Sequence, residues 1–366
     1  MRRAVAAGAA VVVKVGSSSL ANAAGGLDAA SVARTVVQVG WLQTAGYRPV
    51  LVTSGAVAAG LPALGLRKRP PEIPQLQVAA AVGQGLLMHE YARRFGENGT
   101  VVGQVLLTKD ILANRSQYLH AREALMRMLA IGVLPIVNEN DTVVVDELKL
   151  GDNDRLAAMV SHLVGAGMLV ILTDTVGLYS ADPRMSDDAE LLSAVRNTDE
   201  ILDELYRSGG RGALGSGGVA TKIAAARMAA WSGVPTVIAE ARNDDAVHLA
   251  VSGSEIGTWI EPHPSRLSAR KLWIAFGLPP EGRVVIDAGA VAALVGSGRS
   301  LLPAGVVAVE GSFGEGSAVE VVEVSGELIG KGLAGLTAAA VREAIGSHSS
   351  VAGGVVIHRD DLVVLR

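Results

Sequence analysis

The chain begins MRRAVAAGAAVVVKVGSSSL (residues 1–20), and the reading of this stretch decides the fold. Two arginines ahead of an apolar run have the outline of a secretory leader. Lys14 breaks that run, and no polar flank with a small-residue cleavage site follows it. The β-branched VVVKVG instead reads as a strand entering a glycine turn. On this reading a cation, Lys14, lies inside a strand, with Gly16 and three serines just beyond its end.

Outward from that strand, short Val-rich runs near residues 10–15, 49–53, 101–107, 133–137, 168–172 and 234–239 alternate with helical patterns. The helical stretches lie at about 28–45, 75–95, 116–131, 153–165 and 218–232. This alternation predicts an α/β fold, a three-layer αβα sandwich with a mainly parallel central sheet. Ligands of such sheets gather at the carboxyl ends of the strands. The rhythm breaks at EPHPSRLSARK (261–271), and after GLPPEGR (277–283) short strands separated by glycine take over. The expected organisation is an α/β domain over 1–262, a linker over 263–281 and a small β-rich barrel over 282–366, with helical stretches near 288–296 and 337–346.

Nearly half of the 366 residues are hydrophobic and only 3% are aromatic, so Ala, Val, Leu and Ile must build the core. A net charge of −4 gives no electrostatic reason to expect nucleic acid or an anionic membrane as partner. No segment reaches the roughly 18 uninterrupted apolar residues of a membrane span. The absence of Cys excludes disulfides, a thiolate nucleophile and a Cys-based zinc site. The seven histidines show no paired spacing, and no metal-ligating residue is assigned. A cytoplasmic protein acting on small molecules is the expectation.

Five further loops follow apolar strands or open helices. VLVTSGAVAAG (50–60) places Ser54 and Gly55 near a helix start, where amides favour an anion. VLPIVNENDTV (133–143) supplies Asn138, Glu139, Asn140 and Asp141, and LKLGDNDRLAA (148–158) supplies Asp152, Asn153 and Asp154. Capping accounts for one such residue, not three. The group suggests a site that binds an ammonium or orients cationic side chains. In LVILTDTVGLYSADPR (169–184), Thr173 and Asp174 end a strand, where they suit a ribose or phosphate contact or a simple Asx-type turn. GSGGVATK (215–222) lacks the P-loop spacing, yet it precedes a helix whose N-terminus favours an anion. Lys222 opposes the helix dipole there, for which a bound phosphate is the expected compensation. GRGALG (210–215) matches G-x-G-x-x-G only by letter, since it follows a helical stretch and not a strand, and GELIGKG (326–332) is one residue short of a P-loop and lacks Ser/Thr after Lys331. Two lysines, acidic residues to position them and no evident general base suggest phosphoryl transfer to a carboxylate, which is already ionised near neutrality.

In this order and spacing, VVVKVGSSSL, VTSGAVAAG, PIVNENDTV, VDELKLGDNDRLAA, GLYSADPR and GGVATK resemble the amino acid kinase family, and within it the branch that phosphorylates glutamate. The resemblance implies ATP-dependent phosphorylation of the γ-carboxylate of glutamate, the first step of proline biosynthesis, with Mg2+ bridging the phosphates. It makes Ser54, Asp141 and Asn153 glutamate-binding residues, with Gly55 and Asp152 close by. Lys14 and Lys222 would flank the transferring phosphoryl group and Asp154 would hold them. Thr173, Asp174 and the run Ser216, Gly217, Gly218, Val219, Ala220, Thr221 and Lys222 would contact ATP, as would Lys14. Val176 stands where the family commonly has a second Asp. The resemblance also implies inhibition by proline, a homo-oligomer and functional coupling to a glutamyl phosphate reductase. VVIDAGAVAALVGSGRSLLPAGVVAVEGSF (284–313) and VIHRDDLVVL (356–365) resemble the PUA domain, which binds RNA in other proteins. Residues 281–366 hold ten Asp/Glu against six Lys/Arg, which argues against RNA binding here. The alternatives are a sibling kinase for aspartate or acetylglutamate, and an RNA-binding or regulatory protein on a retained kinase fold.

Overall fold

The computed structural model describes residues 2–22, 25–112, 114–143, 153–197, 199–209, 218–346 and 354–365. The chain divides into two compact units, 1–266 and 267–366. In the larger unit the strands are β1 (Ala10–Val15), β2 (Arg48–Thr53), β3 (Val102–Leu107), β4 (Leu134–Glu139), β5 (Met168–Thr173), β6 (Ala194–Arg196), β7 (Thr236–Glu240) and β8 (Thr258–Glu261). They form one sheet in the order β3-β4-β2-β1-β5-β7-β8-β6. Every pairing is parallel except β7 with β8.

All six positions of β1 are buried, Lys14 included. A parallel strand covered on both faces reads as a continuous apolar run, which is why VVVKV shows no alternation. From β1 the chain builds outward through β2 to β4 and β3, then crosses back to place β5 on the other side of β1. That reversal opens a crevice above the carboxyl ends of β1, β2 and β5.

The helices of this unit are α1 (Ser17–Leu20), α2 (Ala29–Thr44), α3 (Ala56–Ala63), α4 (Ile73–Gly96), α5 (Arg115–Ala130), α6 (Asn153–Val164), α7 (Glu200–Gly209), α8 (Val219–Trp231) and α9 (Ala246–Ser252). Asp28 caps α2 by accepting from Ser31 N, and Asn114 caps α5 by accepting from Gln117 N. Helix α4 sends Leu87, Tyr91 and Phe95 into the core. It meets α3 through glycines: a Cβ on Gly83 would stand 1.8 Å from Ala56 O, and one on Gly60 would stand 2.0 Å from Ala79 O. The two backbones touch, and the turn after β2 is pinned as a result. Among the described residues no helix is long and apolar enough to cross a membrane.

The smaller unit holds α10 (Ala269–Leu272), β9 (Gly282–Ile286), α11 (Ala288–Ser297), β10 (Val306–Gly311), β11 (Ala318–Glu323), β12 (Leu328–Leu333), α12 (Ala338–Ala344) and β13 (Leu362–Val364). Its sheet runs β10-β9-β11-β12-β13. Within the stretch 263–281, a π-helical turn at Trp273–Gly277 buries Ile274 and Ala275 with Val363. The lysine of GELIGKG lies in β12, where Lys331 is buried and donates to Leu278 O. That segment is a strand and not a phosphate loop.

Replacing Gly83 by Ala should destabilise the larger unit by about 3 kcal/mol, since the added methyl meets backbone rather than a movable side chain. Urea unfolding followed by tryptophan fluorescence will report the loss.

Candidate active site

Lys14 stands near the carboxyl end of β1, Asp154 at the head of α6 and Lys222 in the first turn of α8. Lys14 Nζ lies 2.5 Å from Asp154 Oδ1, and Lys222 Nζ lies 3.5 Å from Asp154 Oδ2. Thr221 Oγ1 donates to Asp154 Oδ2 at 2.8 Å. Lys14 and Asp154 are 2% and 0% exposed. Burial alone would raise the Asp154 carboxyl, but the charges of Lys14 and Lys222 outweigh it and hold the group below the usual carboxylate range. Burial pushes the Lys222 ammonium down, with Asp154 pulling the other way. Two cations and one anion leave a net positive charge in a place largely removed from water, where an anion is strongly favoured.

Local sequence explains the arrangement. Gly16 leaves room over the Lys14 ammonium, since a Cβ there would come within 3.3 Å of Nζ. Gly218, the N-cap of α8, has no side chain to satisfy the first amides of that helix. The sequence reading assigned the compensation for Lys222 to a bound phosphate. Asp154, which the resemblance implies as the residue that holds the lysines, lies 3.5 Å from Lys222 Nζ and offsets part of the unfavourable dipole.

A second polar cluster adjoins the first. Ser54 is buried, and Gly55 after it turns the chain from β2 into α3 at φ 104°, a left-handed conformation that suits glycine. Asn153, next in sequence to Asp154, directs Nδ2 at Thr53 O and Ser54 Oγ, each at 3.0 Å, and at Asn138 Oδ1 at 2.9 Å. Its Oδ1 is buried without a hydrogen-bond partner among the described residues. Asn138 accepts from Glu139 N at 2.9 Å and donates to Gln84 Oε1 at 2.8 Å. Tyr91 OH meets Thr53 Oγ1 at 2.9 Å. Asp141 lies beyond the end of β4, where desolvation pushes its carboxyl up to about 6 against the opposing pull of Arg69.

At the other edge of the crevice, Thr173 at the end of β5 donates to Asp174 Oδ1 at 3.0 Å. Asp174 is exposed, and its charge raises Lys222. Thr173 and Asp174 line a cleft of about 240 Å³ with Ser18, Ser19 and Arg242. Val176 is exposed on the same turn. Gly218, Val219, Ala220 and Thr221 lie at the start of α8. Asp152, Ser216 and Gly217 fall outside the described residues, as does GRGALG. Thr53, Gln84 and Tyr91 belong to the polar cluster, and the sequence reading missed all three. Gln84 carried one faint signal, an amide between two glycines inside an Ala-rich helix.

The sequence profile of the Amino acid kinase family matches residues 9–240, which takes in every strand from β1 to β7. The chain belongs to that family. A PUA domain profile matches residues 282–352. A protein of Marinomonas sp. (strain MWYL1) named glutamate 5-kinase is 44% identical over the full length of both chains. Glutamate 5-kinases of Frankia casuarinae and Moorella thermoacetica are 47% and 44% identical over 97% of this chain and 96% of their own. Kinase-family membership fits a crevice whose fixed charge is positive and whose carboxylate serves to hold two lysines.

Replacing Asp154 by Asn should preserve the Thr221 contact yet leave two buried ammonium groups facing each other across a neutral amide. The larger unit should lose about 3 kcal/mol of stability, measurable by urea unfolding.

Proposed function

We propose that this chain transfers the γ-phosphoryl group of ATP to the γ-carboxylate of L-glutamate, giving ADP and γ-glutamyl phosphate, the first step of proline biosynthesis. One observation carries the reading. Consecutive residues at the head of α6 join the two clusters: Asn153 reaches Ser54 and Thr53, while Asp154 reaches both lysines. An acceptor site and a phosphoryl site are thereby held one residue apart on a single rigid element. The names of the full-length relatives support glutamate as the acceptor.

Lys14 and Lys222 flank the transferring group and neutralise the charge that spreads over its oxygens. Asp154 keeps the two ammonium groups apart and aimed, so little reorganisation is needed as the reaction proceeds. A carboxylate acceptor needs no general base. Ser54, Asn153 and Asp141 bind glutamate: Asn153 Oδ1 and the Asp141 carboxylate are acceptors suited to its α-ammonium, with Gly55 and Asp152 beside them. Thr173, Asp174 and residues 216–222 contact ATP. With Asp154 committed to the lysines, Mg2+ would be held mainly through the nucleotide phosphates, and it would supply further charge neutralisation when bound. Inhibition by proline, a homo-oligomeric state, transfer of the labile product to a reductase and a location in the cytoplasm belong to the same reading. The acidic balance of the PUA domain favours a regulatory or assembly role over RNA binding.

Acyl phosphate trapped as the hydroxamate should form with ATP, Mg2+ and glutamate, and not with aspartate or acetylglutamate; a signal for another acid alone would overturn the acceptor assignment. In the same assay Lys222→Ala should lower kcat by roughly 10²–10³ with the glutamate KM nearly unchanged. The Asp141 carboxyl, half protonated near pH 6, attracts an ammonium only when ionised. The glutamate KM should therefore be flat above that pH and rise about tenfold per unit below it, and Asp141→Asn should abolish the slope.

A further inference from the structure

The Asn153–Asn138 pair does not end at the acceptor site. It continues to Gln84 on α4, a residue to which neither the motifs nor the family resemblance assigned a role. Backbone groups define the direction of the chain of amides. Thr53 O accepts only, so Asn153 must turn Nδ2 toward it; Glu139 N donates only, so Asn138 must turn Oδ1 toward it. Asn138 Nδ2 is then left to face away from the crevice, and Gln84 Oε1 accepts from it at 2.8 Å. Asn153 Oδ1 is left facing the other way, buried and without a partner among the described residues.

We infer that Gln84 is a positioning residue for recognition of the substrate α-ammonium. It acts through Asn138, which it holds in the one orientation that lets Asn153 present Oδ1 to the ligand. Without an acceptor at position 84, Asn138 Nδ2 is stranded. Its relief by a half-turn sets its amide group against two donors, Glu139 N and Asn153 Nδ2, so the neighbouring Asn153 is displaced instead. The backbone near Gln84 is held firmly enough for this task. Gly83 beside it packs against Ala56 O of α3, the helix that begins directly after Ser54 and Gly55. Tyr91, two turns further along α4, meets Thr53 from the same helix. The amide chain thus runs from Ser54, two residues ahead of α3, to Gln84 on α4, and these two helices are in backbone contact.

The inference rests on the glutamate reading above, and the test separates the two. Glutarate differs from glutamate only by lacking the α-ammonium, so the ratio of kcat/KM for the two acids isolates that group. The wild type should prefer glutamate strongly. Gln84→Leu should raise the glutamate KM about tenfold or more, leave kcat and the ATP KM within about twofold, and narrow the preference over glutarate by a similar factor. Gln84→Glu keeps an acceptor and exchanges an amide NH2 that has no partner among the described residues for a second carboxylate oxygen. Compared with Gln84→Leu at a pH where that carboxyl is protonated and at one where it is ionised, it should retain the wild-type preference in both. A Gln84→Leu enzyme that loses both acids equally, or keeps its glutamate KM, would overturn the positioning role while leaving the kinase reading intact. A wild type that fails to prefer glutamate would overturn both. Thermal unfolding of each variant separates a misfolded chain from a mispositioned one.

Discussion

The carboxylate of Asp154 is the point on which the crevice depends. It is buried, and it lies between ammonium groups supplied by β1 and α8. Either cation alone beside it would be a neutral pair with little reason to attract a phosphate. Two cations without it would repel each other and draw in water. The combination holds three separate segments together and leaves a surplus positive charge in a low-dielectric place. Stability and electrostatic preorganisation here have the same source.

The neighbouring amide cluster follows from the same element. Because Asn153 and Asp154 are adjacent at the head of α6, placing one side chain places the other. The cost of burying so many polar groups is offset by hydrogen bonds to backbone and to one another, with the buried Asn153 Oδ1 left without a partner among the described residues. The glycine contact between α3 and α4 keeps the far side of that network from drifting. Binding geometry is therefore built on helices in backbone contact, although its polar residues sit at loop ends.

Much of this architecture was legible in the chain. Five of the six principal strands of the larger unit follow from apolar, β-branched runs, because a central parallel strand is apolar on both faces. The sixth, β3, is an edge strand interrupted by Gly103 and Gln104. The shorter elements, β6, β8 and α9, escaped notice: strands of three and four residues and a seven-residue helix carry too little periodicity. In the smaller unit, β12 was obscured because LIGKGL has a buried lysine and two glycines, which lower its resemblance to a strand. Lys14, Lys222, Asp154, Ser54 and Asn153 stood out as polar residues at strand ends and helix starts. Gln84 and Tyr91 did not, since each lies within a long helix and becomes part of the site only through contacts with distant loops.

The sequence by itself determined the order of strands and helices, the acidic character of the terminal domain and the polar residues available at each strand end. Those are local properties, set by side-chain periodicity, turn chemistry and composition. Only the tertiary structure decided which polar residues meet. The crossing from β4 back to β5 brings Lys14 and Lys222 to the one carboxylate of Asp154. Distances across such a crossing depend on sheet order and helix packing, which no single segment encodes. The direction of each amide in the Ser54–Asn153–Asn138–Gln84 chain depends likewise on backbone donors and acceptors that folding alone brings within reach.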